Sequence, residues 1–154
     1  MHSHIGIAVS ASPRRVFELA NQVPRWAELL PHYRQVTIES QDGDRTVARM
    51  AAWRPGLLRI PVSWRAEHWS DDTDETDLRL HFRHVGGATV GMQVVWHIRP
   101  TGSGTSVVIE HDFSRPLPLL GSDLMPAIVD RFFIRPIAGR TLATFQALAE
   151  GRAA

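Results

Sequence analysis

Three histidines, His68, His84 and His111, have the spacing and residue type to move protons. Each lies in a run where apolar and polar residues alternate, and in each run parity puts the imidazole on the apolar side. Histidine is the side chain whose ordinary pKa lies in the useful range, so an enclosed imidazole is a candidate general base. Arg54, at the end of another such run, keeps its proton and could only stabilise developing negative charge. Both readings have a plainer counterpart. An inward histidine can be a hydrogen-bonded core residue, and an arginine beside Pro55 can be solvated with its stem on apolar surface.

Other chemistries are closed off. The 17 basic residues are all arginine, which removes Schiff-base and phosphate-loop lysines, and the absence of cysteine removes thiol nucleophiles, disulfides and thiolate metal sites. Eight histidines raise the question of a metal, but no His-Glu-x-x-His or similar spacing occurs. No metal site and no cofactor is expected. There is no Gly-x-Ser-x-Gly elbow and no dinucleotide-binding glycine triplet opening a helix. With 17 basic against 16 acidic residues scattered along the chain, no footprint for nucleic acid stands out. The N-terminus lacks the features of a secretory signal and no stretch reaches the length of a membrane span, so the expected location is cytoplasmic.

The elements that must position these residues follow from periodicity. Residues 4 to 11 read as a strand. Ser12 then offers an N-cap and Pro13 a first helical position, opening a short helix that Pro24 interrupts and a second that Pro31 ends. From Tyr33 to Phe113 the period becomes two, and the turns "QDGD", "RPGL", "VGGA" and "TGSG" cut the run into antiparallel strands. In "LLRIPVSWRAEHW", Leu58, Ile60, Val62, Trp64, Ala66 and His68 share the apolar face. The acidic "SDDTDETD" reads as a solvated hairpin loop, lacking the central glycine and terminal glutamate of a calcium loop. From about residue 122 to 150 the helical period returns, with Pro136 expected to kink the helix and Gly139 to weaken the same turn.

The class is therefore α+β, one domain over residues 1 to 154. A seven-stranded curved antiparallel sheet wraps around a long C-terminal helix, and two short helices stand between the first two strands. Only the long helix is large enough to cover the apolar sheet face, and a sheet twisted around one helix can leave a hollow beneath it.

Several stretches together carry a resemblance: "ASPRRVFELANQVPRWAELLPHYRQV" (11 to 36), "GMQVVWHIRP", "VVIEHDF" and "FFIRPIAGRTLATFQALAE". Over nearly its whole length the chain resembles the START-like, or helix-grip, superfamily (SRPBCC), and within it the polyketide cyclase/dehydrase group that includes the aromatase/cyclases. The resemblance implies a cavity lined by tryptophans, with Trp64 and Trp96 in corresponding positions and Tyr33 after the second short helix. It also implies an arginine on the strand of one tryptophan. At that place this chain has His68, while Arg65 should point outward.

The expected ligand is a hydrophobic small molecule, aromatic or polyketide-like, with aldol-type cyclisation or aromatisation as the implied reaction. That chemistry needs a base beside a carbonyl, a donor for the enolate oxygen and a shaped apolar enclosure. The candidate catalytic residues are His68, His111, Arg54 and Tyr33. The candidate ligand-binding residues are Trp26, Trp64, Phe82, His84, Met92, Trp96, Ile128 and Phe132. Trp26 and Tyr33 are expected at the cavity mouth, although a tryptophan that only seals the helix pair is an equally physical reading of Trp26. The alternative is a non-catalytic carrier of a lipid or isoprenoid quinone, resembling the coenzyme-Q-binding and lipid-transfer branches. In that reading "SRPLPLLG" and "MPAIVDRFF" form a mobile lid that touches a membrane transiently without stable insertion. The oligomeric state is not expressed in the sequence.

Overall fold

A computed structural model describes residues 1 to 114 and 124 to 153. Seven strands form one antiparallel sheet in the order β1-β7-β6-β5-β4-β3-β2. They are β1 (His2–Val9), β2 (Tyr33–Asp42), β3 (Arg45–Trp53), β4 (Pro61–Asp71), β5 (Leu78–Gly87), β6 (Gln93–Thr101) and β7 (Gly104–Asp112). Two short helices, α1 (Pro13–Ala20) and α2 (Trp26–Leu29), separate β1 from β2, with a single 3-10 turn at Val23–Arg25 between them. Ser12 caps α1 by accepting from the Arg15 amide, and Pro13 occupies its first turn.

The C-terminal helix covers the concave face in three parts: α3 (Leu124–Val129), a π turn at Asp130–Ile134, and α4 (Arg135–Ala149). This is the helix-grip arrangement. The burial pattern of β5 and β7 follows strict parity, with Leu78, Leu80, Phe82 and His84 buried on one and Val107, Ile109 and His111 on the other. The apolar ones meet Leu142 and Phe145 of α4 and Val16 and Phe17 of α1 in one core.

Two expectations are corrected. The turn after β3 does not stop at Leu57. It runs to Ile60, closed by the Arg54 amide donating to the Ile60 carbonyl at 2.8 Å. Leu58 and Ile60, assigned to the inward face, are exposed instead. Pro55 and Pro61 bracket the loop with residues that cannot donate to a ladder, and Gly56 sits at φ 130°, which halts regular pairing. In the long helix the irregularity lies ahead of Pro136, in the π turn, and Pro136 falls in the first turn of α4. The "SRPLPLLG" segment assigned to a lid lies, beyond its first residue, outside the described residues.

Candidate functional site

Between the sheet and the C-terminal helix lies a cavity of about 350 Å³. Trp26 of α2, Tyr33 of β2, Met50 of β3, Phe82 of β5, Trp96 of β6 and Ile109 of β7 line it from the sheet side. Val129, Phe133, Ile134, Ile137, Ala138 and Thr141 line it from the helix. The lining residues that are exposed to solvent are Ser63 and Ala88, so the mouth lies between the starts of β4 and β6. No arginine, aspartate or glutamate lines the cavity among the described residues.

Trp26 is not at the mouth. It is buried among Tyr33, Phe82, Trp96 and Phe145 at ring separations of 5.4 to 5.9 Å, and its Nε1 donates to the Ala20 carbonyl at 2.9 Å. It seals the helix pair and forms a cavity wall at once. Tyr33 packs edge-on between Trp26 and Trp64, and burial pushes its phenol well above the usual range, opposed by a hydrogen bond toward Thr141. Next to it His32, singled out by nothing in the sequence, is buried with its Nε2 at 2.9 Å from the Thr141 hydroxyl.

Trp64 and His84 stack at 6.0 Å across a β-bulge. The bulge leaves Val85 unpaired and brings Gly87 opposite Trp64, with φ 94° and a Cβ position only 3.0 Å from the Ser63 carbonyl. Only glycine fits there, and the bulge aims both rings at the cavity. Thr89 lies 2.7 Å from His84 Nδ1, and burial, then the neighbouring His111, lowers the His84 pKa to about 3.

His111 lies on the inward face of β7, paired in register with Val94, and lines the cavity. Its Nδ1 is buried with no partner among the described residues. Burial lowers its pKa to about 4; the charge of Asp130 works against that shift and Arg135 adds to it. Asp130 is the residue that sequence reasoning missed. It is buried in the π turn, receives the Arg135 Nε on Oδ2 at 2.7 Å, and has Oδ1 without a partner among the described residues. The available signal was a lone carboxylate in the otherwise acid-free run from 124 to 149.

Four candidates stand outside the lining. His68 is held by the His81 carbonyl at Nδ1 and by Asn21 at Nε2, both 3.1 Å away, and stacks on Phe82. Both nitrogens are engaged, so the ring where the resemblance implied an arginine ties α1 to the sheet. Arg54 donates through Nε to the Phe132 carbonyl and covers the Phe132 ring. Ile128 does not line the cavity, and Phe132 is 48% exposed. Val129 and Phe133, the neighbours of those two residues, line the cavity instead, and the π turn at Asp130–Ile134 begins between them. Phe82, Met92 and Trp96 line the cavity. Among the described residues no cluster could hold a metal ion.

A curved sheet gripping one helix over an apolar chamber defines a START-like, helix-grip fold. The chain belongs to the family described as "Polyketide cyclase / dehydrase and lipid transport", which matches residues 9–138. Among solved structures it is similar to TTHA0849 from Thermus thermophilus, with 22% identity over 95% of this chain and 94% of that one and a TM-score of 0.75. It is similar to the ZhuI aromatase/cyclase from Streptomyces sp. R1128, with 19% identity over 97% and 93% of the two chains and a TM-score of 0.74. A STAR-related lipid transfer protein from Xanthomonas axonopodis has 8% identity over 94% and 85% of the chains, with a TM-score of 0.63. At these identities the likeness is one of fold. No curated protein sequence matches this chain.

Proposed function

We propose that the protein binds an uncharged aromatic molecule of polyketide type in the cavity, and that His111 acts on it as a general base. The observation that carries the binding part is the lining: aromatic and aliphatic walls, two imidazoles and a few hydroxyls, with no charged side chain among the described residues. An ion in such a chamber loses its hydration without gaining a partner, whereas a phenol or ketone keeps its hydrogen bonds through His84, His111, Ser63, Thr89 or Tyr33. A volume of about 350 Å³ is small for a ligand site and suits roughly two or three fused rings.

The base reading rests on His111. Burial keeps its imidazole neutral at pH 7 and weakens it as a base, and the charge of Asp130 works against that by favouring the imidazolium that forms. His84 and Tyr33 supply donors for an enolate oxygen on other walls of the chamber.

The carrier reading draws support from one specific feature. An enolate formed here would meet no cationic side chain among the described lining residues, as a purely shielding cavity requires. The test uses tryptophan fluorescence with 1-naphthol and its anionic counterpart 1-naphthoate. Quenching by the naphthol alone is expected; equal binding of both removes the neutral-ligand reading. Turnover of a poly-β-ketone that survives His111→Ala undiminished removes the base assignment, and no turnover by the wild type leaves the carrier.

A further inference from the structure

Six large apolar residues are exposed among the described residues: Ile38, Leu57, Leu58, Ile60, Val90 and Phe132. Five of them lie in three segments around the cavity mouth, namely the loop from 54 to 60, the β5–β6 connection and the helix from 129 to 137. Leu57 is 101% exposed and Leu58 69%, so the loop tip holds out two leucines that touch almost nothing. Isolated exposed apolar residues are ordinary, but their collection at one opening is not.

The same three segments carry Arg54, Arg59, Arg131 and Arg135 against one carboxylate, Asp130, which is buried and paired with Arg135. Arg54 is tied to the Phe132 carbonyl and Arg59 lies over the Trp53 ring at 5.1 Å, so their stems rest on aromatic surface behind the leucines. Neither forms an ion pair among the described residues. The tip is thus convex and layered, with leucines outermost and guanidinium groups set back. An anionic bilayer has the complementary layering, headgroup charge above an apolar interior. A protein partner would instead need a shaped recess for the leucines.

We propose that this rim docks the cavity mouth on an anionic lipid surface, with Leu57 and Leu58 entering the headgroup boundary and Arg59 and Arg131 meeting lipid phosphates. An apolar ligand then passes between bilayer and cavity without crossing water. No helix of the described residues is long and apolar enough to cross a membrane, so contact is peripheral. The proposal concerns the outer surface and stands whether the cavity is catalytic or a carrier.

Flotation with vesicles of phosphatidylcholine alone and of phosphatidylcholine mixed with phosphatidylglycerol tests it. The wild type is expected to bind the mixed vesicles at low salt, several-fold better than the neutral ones, and to release as salt is raised. Leu57→Glu with Leu58→Glu should weaken binding about tenfold or more, and Arg59→Gln with Arg131→Gln by a similar factor. Ile38→Glu, on β2 away from the mouth, should leave binding unchanged. Thermal unfolding and naphthol quenching of each variant confirm an intact domain, because the leucines are in solvent and outside the cavity. No flotation of the wild type on the mixed vesicles, retention by the Leu57/Leu58 variant, or an equal loss in Ile38→Glu overturns the proposal.

Discussion

The guanidinium of Arg54 donates to the carbonyl oxygen of Phe132, the acceptor that an unbroken α-helix would have given to the amide at position 136. Pro136 has no amide hydrogen to give, so a residue far away in sequence supplies the missing donor. The loop after β3 and the helix above the cavity are thereby fastened at one point. Arg54→Ala is expected to cost about 1.5–3 kcal/mol, the range for a hydrogen bond to a charged group. Amide hydrogen exchange should quicken between 130 and 137 while the second half of α4 keeps its protection. Unchanged exchange around the π turn would contradict the fastening role.

Stability should fall on mild acidification. Burial lowers the pKa values of His32, His68 and His111 from 6.5 to about 4 and that of His84 to about 3. Below the unfolded-state value of about 6.5 the unfolded chain therefore binds more protons than the folded one, and the unfolding free energy rises with pH across that window. The contribution of these groups is full above about pH 6.5 and has been lost once pH has dropped through their folded values. Denaturant melts at about pH 7.5, 6 and 5 check the sign. A midpoint that stays level from about pH 7.5 to 5 would speak against neutral buried imidazoles.

Asp130 should set the basicity of His111. Removing its charge with Asp130→Asn takes away the influence that raises the His111 pKa and leaves Arg135 unbalanced, so that pKa should fall below about 4. Titration of labelled histidines by NMR measures it directly, with His68, which has no Asp130 influence among its causes, as an internal reference. On a substrate that the protein turns over, His111→Gln should lower kcat/KM by roughly 10²–10⁴ while naphthol binding is kept.

Filling the chamber separates binding from folding. Ala138 is buried on α4 and lines the cavity, so Ala138→Leu places its extra atoms in empty space. Quenching by 1-naphthol should weaken about tenfold or more while Tm stays level or rises, since a filled cavity recovers packing. Full affinity in this variant would mean that the ligand binds elsewhere.

Much of the frame is legible in the chain itself, because it depends on local rules. Alternation marks the buried faces of β5, β6 and β7, Ser12 and Pro13 mark the start of α1, and the polar turns mark most of the strand ends. Parity alone puts His68, His84 and His111 on the inward face, and all three are buried there. What parity lacks is position along that face. His68 meets Asn21, the C-cap of α1, while His111 meets open space, and the difference depends on how the helices lie over the sheet.

Tertiary structure likewise decided the helix phase. A regular period points to Ile128, Val129 and Phe132 alike, whereas around the π turn ahead of Pro136 it is Val129 and Phe133 that line the cavity and Asp130 that is buried near His111. Sequence patterns determine which residues leave water, since that follows from a repeat of two or of 3.6. Which of those residues border an empty chamber depends on contacts between elements distant in the chain, and no local repeat encodes them.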